Sequence, residues 1–207
     1  MANVDAPFGL RPVRHLNGMS WNGQTERCFI HASYAAALYV GDAVALQTET
    51  DYQDTTGMHL SIVKATAADT YPILGVITSF EPLPGSLDKP YNPASTQRYA
   101  NVCIDPGVIY QIQDNGAATP TKLLCGQNGS IVMTHSGSTA TGISGMELDL
   151  GTTDTPAANS SFQLLILRLA RLPNNTLAIN AIWEVLINLH QLKSTGDGDG
   201  MLGVTAT

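Results

Sequence analysis

Apolar positions along this chain fall in short alternating runs, each closed by Gly, Pro, Asn or Asp, which is the period-two grammar of half-buried strands. The clearest case is "RYANVCIDPGVIYQIQDNG" at 98–116. Tyr99 to Ile104 and Val108 to Gln113 read as strands flanking a turn at Asp105-Pro106-Gly107, and Asn115-Gly116 ends the second, since Asn and Gly tolerate the positive φ of tight turns. Val44 and Leu46, "HLSIVKAT", "YPILGVITSFEPL", "KLLCGQNGSIVM" and "GISGMELDL" give further strands, with Gly75 predicting a bulge or a close backbone approach. Phe162 to Leu172 has enough apolar content for a buried helix. The β-branched and aromatic weight of Ile179, Ile182, Trp183, Val185 and Ile187 favours two strands around Pro173-Asn174-Asn175. Tyr34 to Tyr39 is a helix-compatible patch within "SYAAALYVGDAVALQTE" and predicts a short helical turn. Short strands between frequent turns predict a mainly β fold: an antiparallel β-barrel or β-sandwich body.

The ends and one loop depart from this pattern. Residues 1–22 contain Pro7 and Pro12 and no clear period, predicting an extended N-terminal arm, with strand pairing starting near Glu26 to Ala32. Phe8, Leu10, Val13, Leu16 and Trp21 make that arm too apolar for a solvated tail, so it is expected to lie on the body or on a neighbouring subunit. Residues 23–193 form the β-rich body. Within it, 81–96 carries Pro82, Pro84, Pro90 and Pro93, which forbid continued ladder pairing and predict a long loop fit for contacts. Residues 194–207 are Gly-rich and predict a flexible tail.

Composition sharpens the picture. Charged residues are only 13% of the chain against 43% apolar, about half the ~25% charge of an ordinary soluble domain, which points to surface covered by partners. The net charge of −7, from 17 acids and 10 bases with no basic stripe, argues against direct nucleic-acid binding. No run approaches the roughly 18 apolar residues of a membrane span, and "MANVDAPFGLRPVRHLNG" lacks the apolar core of a secretory signal, so no membrane partner is expected. Cys28, Cys103 and Cys125 are odd in number and widely spaced, as suits buried small hydrophobes. The glycosylation-type triplets at Asn128, Asn159 and Asn174 carry little without an export signal.

Candidate chemistry is sparse. "GDGMLG" at 198–203 matches G-x-G-x-x-G without a following helix, and Asp197 and Asp199 start a calcium-loop pattern that Met201 breaks, so neither implies a cofactor or metal. His15, His31, His59, His135 and His190 form no metal-type pair, and neither Ser136 nor Ser144 sits in a G-x-S-x-G elbow. Glu26, Glu81, Glu147 and Glu184 are read as solvated acids, with pairing across strands as hydrolase carboxylates the alternative. Trp183, in an apolar strand, reads as core; Trp21, in the arm, is divided between core and interface. Arg11 and Arg14 suit acidic groups on a partner. No catalytic or cofactor-binding residue is assigned.

Taken together, "ANVDAPFGLRPVRHLNG", "YVGDAVAL", "YPILGVITSFEPL", "RYANVCIDPGVIYQIQDNG", "LLILRLARLPNN" and "NAIWEVLINLHQL" resemble the head decoration, or capsid cement, proteins of tailed bacteriophages. The resemblance implies a β-rich structural protein, not an enzyme and without cofactors. It would bind the outer surface of an expanded capsid in the virion after assembly in the host cytoplasm. Its partner would be the major capsid protein, and its form a homo-trimer. On that expectation Phe8, Leu10, Arg11, Arg14 and Trp21 of the arm, with Pro84 and Tyr91 of the proline loop, are the candidate contact residues. Another virion role, in the tail tube or at the head–tail joint, and a carbohydrate-binding β-sandwich with Trp21 or a Tyr as stacking platform remain the alternatives.

Overall fold

The computed structural model describes residues 3–193. The strands run β1 (Arg11–His15), β2 (Glu26–Ile30), β3 (Ala43–Leu46), β4 (Ile62–Lys64), β5 (Gly75–Phe80), β6 (Arg98–Cys103), β7 (Val108–Gln113), β8 (Asn128–Gly129), β9 (Ile131–Val132), β10 (Glu147–Leu148), β11 (Leu164–Leu169) and β12 (Ile182–Ile187). Two 3₁₀ turns, Thr50–Tyr52 and Lys122–Leu124, are the helical elements among the described residues. The predicted tail at 194–207, with its "GDGMLG", lies outside them.

The strands build two five-stranded antiparallel sheets, ordered β1-β7-β12-β11-β8 and β2-β6-β5-β3-β4, with β9 and β10 as a separate antiparallel ribbon. Alternation explains how they pack. Val108, Tyr110 and Ile112 of β7, Leu164 and Ile166 of β11, and Trp183, Val185 and Ile187 of β12 fill one core against Ala43, Val76 and Cys103 of the second sheet. The next residues along, Val44, Ile77 and Val102, point the other way into a second core with Cys28, Ile30, Ile62 and Ala100. The second sheet is thus buried on both faces. A single parallel bridge between Phe29 and Ser61 joins its edge strands, so it curls around its own core without closing as a barrel, and the whole is an antiparallel sandwich.

The predicted pair at 98–113 forms as β6 and β7, with Gly107 N–H donating to Asp105 Oδ1 at 2.7 Å in the turn. The two strands belong to different sheets, so the turn carries the chain across the sandwich. The late pair forms as β11 and β12, with five antiparallel residue pairs and a register shift between Ile166 and Arg168. Gly75 opens β5 against β6, where a Cβ would run into the Cys103 carbonyl: a close approach, as its position predicts.

Two local expectations are corrected. Pairing begins at β1, before Glu26, because the buried Leu10 anchors the arm and an edge strand tolerates Pro12, whose missing N–H faces no ladder partner it must satisfy. Tyr34 to Tyr39 makes no helical turn: Leu38 exchanges backbone hydrogen bonds with Asn92 at 2.9 and 2.8 Å, and Val40 N–H donates to Gly142 O at 2.8 Å. Tertiary bridges override the helix preference of the alanines there.

Candidate functional site

Where the arm crosses the body, the chain needs two backbones in near contact. Leu10 N–H donates to Gly41 O at 2.9 Å, and a Cβ on Gly9 would collide with that same carbonyl. Gly9 (φ +69°) and Gly41 (φ +94°) both sit in the left-handed region, so glycine is required twice over at this crossing. The crossing leaves an apolar groove of about 350 Å³ bounded by Phe8, Leu10, Trp21, Val40, Ile77 and Ile143. The guanidinium carbon of Arg11 lies 4.5 Å from the centre of the Phe8 ring, and Nη2 donates to Gln111 Oε1 at 3.4 Å. On the far side of the Phe8–Arg11 pair lies a second depression, of about 460 Å³, walled by Asn174, Asn180 and Ile182.

The arm before this point is tied to its own body. Gln113, at the end of β7, accepts from Ala6 N–H at 2.9 Å and donates to Val4 O at 2.7 Å, while Asn3 Nδ2 donates to the carbonyls of Thr176 and Ile179.

Of the seven contact candidates, the structure therefore gathers Phe8, Arg11 and Trp21 at one groove. Leu10 forms its floor but is 1% exposed, a core side chain with no surface to offer. Arg14 is engaged within the molecule, its Nη2 meeting Glu184 Oε2 at 3.0 Å beside Arg168 at 2.7 Å. Pro84 is exposed on the proline loop, and Tyr91 stacks on Tyr39 with ring centres 5.3 Å apart. Sequence reasoning missed Val40, Ile77 and Ile143, which ordinary apolar runs supply from three distant segments. The adjacent Gly41-Asp42 and "GISG" turns were the available signal.

Sheet edges offer little for strand addition. β1 carries Pro12 and a register shift between Pro12 and Arg14, and Arg14 also bridges Ser20. At β8, Asn128 and Ala157 exchange both backbone bonds at 2.9 Å. On β2, Phe29 N–H is taken by Leu60 O at 2.8 Å, and on β4, the opposite edge, Lys64 N–H is taken by the Tyr34 hydroxyl at 3.0 Å.

The acids expected in solvent are in part buried. Glu147 (1% exposed) holds His135 Nδ1 at 2.8 Å and accepts from Thr134 at 2.5 Å; its hydrogen bond and charge raise the His135 pKa. Asp54 receives the Thr56 hydroxyl and amide and His59 Nδ1, which bring it down to about 2. The other ring nitrogen of His59 lies 2.8 Å from Arg27, which grips Glu81 through two bonds of 2.6 and 2.9 Å. An Asp–His pair acts as a base through that second nitrogen; here Arg27 occupies it, and the linked side chains are a brace between β2 and the loop at 54–59. Burial brings His190 down to about 4. Cys28 and Cys103 are buried as expected, whereas Cys125 is exposed. Among the described residues no group of three or more His, Cys, Asp or Glu is placed to hold a metal, and no helix is long and apolar enough to cross a membrane.

The chain matches no protein-family model, no curated protein and no solved structure.

Proposed function

We propose that this chain is a structural protein of a tailed-phage virion that binds the outer surface of the expanded capsid and braces it by bridging neighbouring major capsid protein subunits, as a homo-trimer. The observation that carries the reading is the gathering of Phe8, Arg11 and Trp21, from an arm that resembles those of decoration proteins, at one preformed groove on a body whose strand edges are blunted. Such a body engages partners through side-chain surfaces. Low charge density suits faces that become covered, and three linked footprints would hold a shell because one loosened contact rebinds at high effective concentration.

The test is co-sedimentation of the purified chain with expanded, undecorated capsids, alongside its solution mass. Saturable binding by a trimer supports the proposal; a monomer that stays in the supernatant refutes it. Because Leu10 is core and β1 is part of a sheet, a truncation that probes the arm must stop at Pro7 to leave the body intact.

A further inference from the structure

Arg11 is an exposed cation at the mouth of an apolar groove, and it forms no ion pair with any described residue. Its five N–H donors meet one neutral acceptor, Gln111 Oε1, at a long 3.4 Å. The arrangement contrasts with that of Arg14, Arg27 and Arg168, each of which holds a carboxylate at 3.0 Å or less. The cation–π contact with Phe8 uses none of the Arg11 N–H donors, the groups that grip a carboxylate through two parallel bonds.

The groove beside it is preformed. Its floor is tied by the Leu10–Gly41 bond and by Gly41 N–H donating to Ile77 O at 2.8 Å, so filling it orders little that is not already ordered. Its walls are lined by Phe8, Trp21, Val40 and Ile143, and Ile143 remains 40% exposed. A volume of about 350 Å³ lies at the small end of ligand pockets and suits a side chain from a passing segment.

We infer that this groove docks an extended segment of a partner protein bearing a large aliphatic side chain with a carboxylate next to it, the aliphatic group filling the space between Trp21 and Ile143 and the carboxylate pairing with Arg11. The chain's net charge of −7 does not forbid an acidic partner, because charges beyond a Debye length of about 8–10 Å are largely screened at physiological salt. Depth of burial supplies affinity, and the single cation selects which apolar segments enter. Naming the partner as the major capsid protein rests on the virion reading above; the chemistry of the groove does not.

N-acetyl-leucine is the smallest probe with both features, and N-acetyl-leucinamide is the same molecule without the charge. Each is titrated against the isolated ¹⁵N-labelled chain while the indole N–H signal of Trp21 is followed, with the buried Trp183 as internal reference. Acetyl-leucine is expected to shift the Trp21 signal saturably in the millimolar range, and the amide to bind about five-fold more weakly, as one partly exposed charged pair allows. In Arg11→Gln that difference should vanish, and in Arg11→Lys it should persist in part. Equal binding of the two probes by the unaltered chain, or no saturable shift of Trp21 with acetyl-leucine, overturns the inference. A failure to bind capsids would leave this result standing and refute only the virion reading.

Discussion

Trp183 donates its indole N–H to Asp114 Oδ2 at 3.0 Å, with both side chains fully buried. Asp114 also accepts from the amides of Gly116, Asn180 and Ala181, so its two oxygens between them satisfy four donors at the end of β7 and the start of β12. Burial pushes the Asp114 pKa up against the pull of those donors. Asp114→Asn would turn an amide NH₂ toward two donors. It should cost about 2–3 kcal/mol, read as a lower urea midpoint with unchanged slope. An unaltered midpoint would show that the four bonds do not anchor this junction.

The glycine crossing gives the second prediction. Gly41→Ala puts a Cβ against the Phe8 carbonyl at a φ of +94°, and should destabilise by roughly 2 kcal/mol or more. The damage should be local to the arm, with faster protease cleavage before Arg11 at a rate well above that of the body. Cleavage at the parent rate would contradict the crossing as the arm's anchor.

Arg14 and Arg168 share one oxygen of Glu184, whose side chain is 10% exposed. Losing either arginine leaves the carboxylate partnered and should cost about 1 kcal/mol, while losing both leaves a mostly buried charge alone and should cost about 3 kcal/mol or more. A double-mutant cycle measures this. Strict additivity of the two single variants would mean the arginines act independently.

Stability should fall at both ends of the pH scale. The folded His135 pKa is raised above 6.5 by Glu147, with Asp5 adding to it, so this pair stabilises fully below about pH 6.5 and the benefit is lost as pH rises through the raised value. Burial of Asp149 opposes its ionisation, but the amides of Asp154, Thr152, Gly151 and Thr153 outweigh that and hold its pKa below 3.8. That contribution is present above pH 3.8 and lost as pH falls through the lowered value. Denaturant titrations across pH should show the alkaline limb flattened in Glu147→Gln and the acid limb flattened in Asp149→Asn. Unchanged limbs would assign the pH response elsewhere.

How much of this was legible depended on range. The strands at 98–113 and the pair at 164–187 could be read locally, because alternation and turn residues set them. That β6 and β7 part into different sheets could not, since a three-residue turn is compatible with a hairpin or a crossover. β1 escaped notice because "RPVRH" holds a proline and two arginines; its pairing with β7 is imposed by a partner about a hundred residues away. Glu147 and Glu184 looked like surface acids for the same reason, as their burial depends on His135, Arg14 and Arg168 arriving from other strands and loops. The arm's apolar content marked Phe8 and Trp21 as contact residues. Only the fold could bring Ile143 across to complete their groove and enlist Arg14 inside the molecule.

The central claim, that this protein acts through surfaces pressed against a capsid, is tested most directly by counting copies bound to expanded, undecorated capsids by the full chain and by Phe8→Ala/Arg11→Gln. The account predicts saturable binding in multiples of three for the full chain and at least a ten-fold weaker association for the double variant, on the scale of a lost central contact of about 1.4 kcal/mol or more. Capsids that take up no protein, or that bind both forms equally, would contradict it.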